Sequence, residues 1–169
     1  MQDQLPVRVD PYRLAEKGLT LSGKLEISKL PRLKALTAGS SGDMECQLTF
    51  SKKARQYFLT GHLKGCLKLT CQRCLEPYDQ EIDSHFSVRL VADDQEAGRA
   101  LEYTEPLTVV DDELDISVVV EDEVLLSMPA IPRHASQRDC KPPAVTKNRE
   151  DVSEQLVNPF AVLEQLKKH

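Results

Sequence analysis

The sequence predicts an α+β domain, mainly antiparallel sheet or a partly closed barrel, with a few short helices and a flexible C-terminal extension. Three observations carry that prediction. From Tyr57 to Cys71 apolar and polar residues alternate over a long run, with Tyr57, Leu59, Gly61, Leu63, Gly65, Leu67 and Leu69 on one face and His62, Lys64, Cys66 and Lys68 on the other. Tyr78 to Val91 repeats the pattern with Ile82, Ser84, Phe86, Val88 and Leu90, so two long strands flank a short connection. Helical signals are brief, and the stretch after Pro132 is polar and proline-containing without a period. A core of residues 1–132 followed by a polar linker and short helix over 133–169 is the division these patterns predict.

The first element is DPYRLAEKG, in which Asp10 caps, Pro11 takes the first helical position and Gly18 closes a helix of two turns. Leu19, Leu21, Gly23, Leu25 and Ile27 then alternate with polar residues, as a half-buried strand requires. Ser28 is placed to cap a brief helix, SKLPRLKAL, and strand signals return with Cys46, Leu48 and Phe50. Lys52, Lys53 and Arg55 crowd the turn that follows, the densest basic spot in the chain. In the long strand, Gly61 and Gly65 read as bends or a bulge. The segment ADDQEAGRALEYTE reads as an acidic loop leading to a short strand, PLTVV. A helix begins near Asp115 and ends before Pro129: Val118, Val119 and Val120 favour a strand locally, but Ile116, Val119, Val120 and Val124 share one helical face. Near the C-terminus, NPFAVLEQLKKH carries an Asn cap, a first-turn proline, and Phe160, Leu163 and Leu166 on one face.

Composition bounds the setting. A chain of 169 residues with 40% apolar content fits one modest domain. No apolar run approaches the ~18 residues that cross a bilayer, and MQDQLPVRVD lacks the features of a secretory signal, so the expected location is the cytoplasm. Five cysteines in a reducing compartment are then thiols or metal ligands rather than a disulfide framework. The net charge is -5 but uneven: residues 1–75 hold 13 Lys/Arg against 6 Asp/Glu, and residues 76–135 hold 3 against 16. Such asymmetry points to a charged partner, unless the two halves interleave in one sheet and compensate each other.

The motif LTCQRCLEP places Cys71 and Cys74 in the connection between the long strands, where they form half a metal site, a redox couple, or a turn that holds sulfur. Two thiolates from a tight turn suit zinc, and His134 with Cys140, in PRHASQRDC, could complete four ligands. No glycine follows Cys74, and neither His134 nor Cys140 sits in a recognisable knuckle. A thiol oxidoreductase would need a strand, the CxxC and then a helix, whereas a strand is predicted to follow here. There is no phosphate-binding glycine loop, no GxSxG and no HExxH, and the four histidines are scattered, so no enzyme and no small-molecule substrate is indicated. Lys52, Lys53, Arg55, Lys64 and Lys68 are candidate RNA phosphate contacts, while Glu121, Asp122 and Glu123, with Phe160, Leu163 and Leu166, are candidate protein contacts.

Taken together, LTCQRCLEP, VEDEVLLSMPAIPRH, the later Cys140 and NPFAVLEQLKK resemble the YceD family over almost the whole chain. The resemblance implies a non-catalytic bacterial ribosome biogenesis factor needed for accumulation of large-subunit (23S) ribosomal RNA, with that RNA or a basic large-subunit ribosomal protein as partner. Many members carry cysteine pairs after the LP..P segment, consistent with zinc. Here that segment offers His134 and Cys140 alone. A zinc-dependent RNA-binding module and a thiol oxidoreductase are the alternative readings.

Overall fold

The structure, a computed structural model, describes residues 5–39, 42–100, 104–136 and 139–141. Its centre is a five-stranded sheet built from β2 (Thr20–Glu26), β3 (Asp43–Lys53), β4 (Gln56–Thr70), β5 (Pro77–Val91) and β6 (Glu105–Thr108), in that spatial order. The first four strands pair antiparallel; β6 joins β5 in parallel after a crossover through α3 (Asp94–Ala100). The sheet is open, with no closed barrel. A small second ladder joins β1 (Arg8–Val9) to β7 (Leu114–Asp115).

One face of the sheet is covered. Leu25, Met44, Leu48, Phe50, Leu59, Leu63, Leu67, Ile82, Val88 and Leu90 bury toward α1 (Pro11–Glu16), α2 (Pro31–Leu36) and α4 (Ile116–Ser127), which return Ala15, Leu33, Val119, Val120 and Val124. The period-two apolar face read from the sequence is therefore the core face. On the open face, residues from the basic and acidic parts of the chain pair across strands: Lys64 with Asp83 at 3.4 Å and Lys68 with Asp79 at 3.8 Å. Elsewhere Arg8 meets Glu113 at 3.2 Å and Arg32 meets Asp122 at 2.6 Å. Part of the charge asymmetry of the sequence is thus compensated within the fold.

Four local expectations need correction. Gly61 and Gly65 lie in an unbroken ladder, opposite Phe86 and Ile82, and make room for the Phe86 ring and the Met44 thioether rather than a bulge. The acidic segment after β5 forms α3, because Asp93 accepts from the Glu96 N–H at 2.7 Å while Glu96 accepts from the Ala92 N–H at 3.2 Å, a reciprocal cap. Ser28 does not cap α2: its hydroxyl donates to Glu26, and residues Ile27–Lys29 form a separate 3-10 turn. The cap comes instead from α4, where Glu121 accepts from the Arg32 and Leu33 N–H groups at 2.7 and 3.0 Å. Finally, the histidines are not all scattered: β4 and β5 set His62 directly opposite His85.

Candidate metal centre

The β4–β5 hairpin ends in a loop closed by its own backbone. Cys71 N–H donates to the Glu76 carbonyl and Leu75 N–H to the Cys71 carbonyl, each at 2.9 Å. Leu75 adopts a left-handed φ of 64°, so the tight turn after the second cysteine forms with leucine where glycine would be least strained. Gln72 N–H reaches the Pro132 carbonyl at 2.8 Å and fastens the segment leaving α4 to the hairpin tip. That tie brings His134 and Cys140 to the CxxC.

Cys71, Cys74, His134 and Cys140 then present four ligand atoms, all within 4.8 Å of one another, with the three cysteines buried. Cys71 Sγ lies 3.7 Å from Cys140 Sγ, and Cys74 Sγ lies 3.5 Å from His134 Nδ1. A sulfur–sulfur separation of 3.7 Å is far beyond the ~2.05 Å of a disulfide. A tetrahedral ion with bonds of about 2.3 Å to sulfur and 2.0–2.1 Å to nitrogen needs S···S and S···N edges of roughly 3.8 and 3.6 Å, close to both separations. The donor set and its spacing thus fit a metal ion held by four protein ligands.

The electrostatics of the tip favour a thiolate. Burial pushes the Cys71 thiol up, but the N–H groups of Cys74, Arg73 and His134 point at its sulfur and hold it at about 5. Cys140 moves the opposite way, to about 11, through burial and its contacts with Cys71 and Cys74. The His134 ring packs against Tyr78 at 5.1 Å between centroids, which orients the imidazole.

The basic candidates divide. Lys52 is committed to Glu16, which also accepts from the Tyr57 hydroxyl at 2.9 Å and fastens α1 to the β3–β4 tip. Lys64 and Lys68 face Asp83 and Asp79. Lys53 and Arg55 project at the tip with no ion pair among the described residues, and the turn between them holds Ala54 and Arg55 at φ values of 47° and 68°. The acidic candidates divide too. Glu121 is 4% exposed and spends its carboxylate on α2 and the Arg32 guanidinium. Asp122 and Glu123 flank a groove of about 310 Å³ between β6 and α4, floored by Val88, Leu107, Val119 and Leu125 and joined at its rim by Glu105. Burial and the Glu105 and Asp122 carboxylates push the Glu123 carboxyl above its ordinary range. Phe160, Leu163 and Leu166 lie outside the described residues. Among the described residues no helix is long and apolar enough to cross a membrane.

The family model described as "Large ribosomal RNA subunit accumulation protein YceD" matches residues 59–167. The chain belongs to the YceD family. A YceD protein of Haemophilus influenzae, described as a large ribosomal RNA subunit accumulation protein, is 32% identical over 98% of this chain and 97% of its own length. No solved structure matches. The YceD match begins within β4, at Leu59, and takes in the rest of the hairpin, both cysteines of its tip, His134 and Cys140. The family is described by an effect on RNA accumulation, not by a reaction.

Proposed function

We propose that the protein acts in the cytoplasm as a non-catalytic factor that supports accumulation of large-subunit (23S) ribosomal RNA by binding a basic large-subunit ribosomal protein. The relative of Haemophilus influenzae, similar along nearly its whole length, supports the process. The observation that carries the partner is the groove between β6 and α4: an apolar floor with Glu105, Asp122 and Glu123 at its rim suits an apolar side chain flanked by lysines or arginines. Burial first, and the Glu105 and Asp122 carboxylates after it, raise the Glu123 carboxyl, and a cationic partner would offset the charge at this rim that the Arg32–Asp122 pair leaves.

Zinc is the ion we assign to Cys71, Cys74, His134 and Cys140. Three thiolates and one imidazole are a preferred zinc set, and with all four positions filled by protein the ion would cross-link the hairpin tip to the segment after α4. A direct RNA contact is the second reading, favoured by the Lys53–Arg55 tip, which projects basic side chains from a strained turn.

Depletion of the protein followed by sucrose-gradient analysis tests the process: the expected result is fewer large subunits relative to small ones, and an unchanged ratio rejects the reading. Asp122→Asn with Glu123→Gln should reproduce the defect if the partner is a basic protein. Lys53→Ala with Arg55→Ala should do so if it is RNA.

A further inference from the structure

On the open face of the sheet, away from the cysteine centre, three side chains converge that the proposed function does not use. His62 and His85 are cross-strand neighbours on β4 and β5, and their rings stack with centroids 3.9 Å apart and planes inclined by 11°. Asp83, two positions before His85 on β5, points its Oδ1 at both rings, 2.7 Å from His62 Nε2 and 3.9 Å from His85 Nε2. One atom from each residue lies within 4.8 Å of the other two. All three sit in the middle of the two longest strands, paired along their length, so the backbone that carries them is fixed before any ligand arrives.

We propose that His62, Asp83 and His85 form a second metal site, open to solvent, for a divalent first-row transition ion of the zinc or nickel type. Each neutral imidazole offers one nitrogen lone pair, and two imidazoles with one carboxylate are a borderline donor set that suits such ions and not magnesium or calcium. An ion with bonds of about 2.0 Å needs ligand edges of roughly 3.3 Å, which the two nitrogen–oxygen separations bracket; because stacked rings aim their in-plane lone pairs side by side, the exposed His85 ring must swing out of the stack about its side-chain torsions to bring Nε2 onto the ion. Lys64 holds the other carboxylate oxygen, Oδ2, at 3.4 Å. It leaves Oδ1, hydrogen-bonded to His62 Nε2, to the ion once the imidazole proton is released, but lowers affinity by its charge. His85 is 72% exposed in its side chain, so the remaining coordination position faces water and can accept a further oxygen ligand.

The test is a Zn²⁺ titration by calorimetry of the full chain loaded with a single equivalent of zinc, repeated on Cys71→Ser without that loading. The expected result is one equivalent taken up by both proteins, lost by about tenfold or more in affinity in His62→Ala and in His85→Ala. Lys64→Ala should tighten it, an effect that a merely structural histidine pair would not produce. Circular dichroism guards against unfolding, and His85, exposed to solvent, has no core contact to lose in that variant. Absence of a further equivalent, or one indifferent to both histidine substitutions, overturns the proposal.

Discussion

The Phe86 ring fills the space that a side chain at Gly61 would take. The two residues are ladder partners, and a Cβ at Gly61 would come within 2.0 Å of Phe86 Cε1. Gly61→Ala must therefore push the ring from the core face, at a cost of about 1–3 kcal/mol. In a Phe86→Ala background the same change should be close to neutral. Chemical denaturation of the four proteins of this cycle measures the coupling, and equal effects in both backgrounds would show that the glycine serves another purpose.

Glu121 should behave as a structural residue. Glu121→Ala strips the cap from α2 and leaves buried N–H groups without partners, so a loss of about 2–4 kcal/mol is expected. The pH dependence follows from the same contacts. Burial would raise this carboxyl, but the Leu33 and Arg32 N–H groups and the Arg32 guanidinium outweigh it and hold it below its ordinary range. Its contribution is thus complete above the unfolded value near about 4.3 and disappears as pH falls through the lower folded value. Wild-type stability should drop over that acid range, and Glu121→Gln should drop less.

Zinc should be found at close to one equivalent at the cysteine centre, removed by Cys71→Ser. Chelation should lower the Tm of the wild type and leave that of Cys71→Ser unchanged. Elemental analysis with thermal denaturation checks both. Protein free of zinc with an unaltered Tm after chelation would mean that the four side chains simply pack.

Ala54 and Arg55 form a two-residue turn in which both φ angles are positive, a geometry that asparagine and glycine adopt with less strain. Ala54→Asn with Arg55→Gly should raise stability by about 1–2 kcal/mol. If Arg55 contacts RNA, the more stable protein will support less ribosomal RNA accumulation in cells; complementation of a depleted strain separates the two effects.

Much of the fold was legible because its long strands obey a strict period of two. Burial follows that face from Leu59 through Leu69 and again from Ile82 to Leu90, interrupted where Ser84 and Phe86 are half-buried. The four ligand candidates were legible as residue types, but what joins them is the Gln72 to Pro132 backbone bond, which no side chain announces. The Leu75 turn was hidden because leucine carries no left-handed signal. By contrast, the start of α3 left a visible mark, the Asp93 and Glu96 capping pair, masked by the acidity of its surroundings. His62 and His85 become neighbours once the connection is set between Thr70 and Pro77, since the ladder then fixes every opposite pair. Glu121 reads as one of three acidic neighbours; its burial depends on the angle at which α4 meets α2, a tertiary fact beyond any local pattern.

Cys71 and Cys140 are 69 positions apart, and β5, α3, β6, β7 and α4 all lie between them. On a chain made from its N-terminus at about 5–20 residues per second, the hairpin thiols wait roughly 3–14 seconds for their last partner. Until His134 is made, six positions before Cys140, an ion could be held by two of these ligands at most, and loosely. Full coordination arrives with the final described residues, after the intervening elements have found their places. Capture of an ion at this centre would thus be a late latch on synthesis, one that a chain whose later strands have gone astray cannot close.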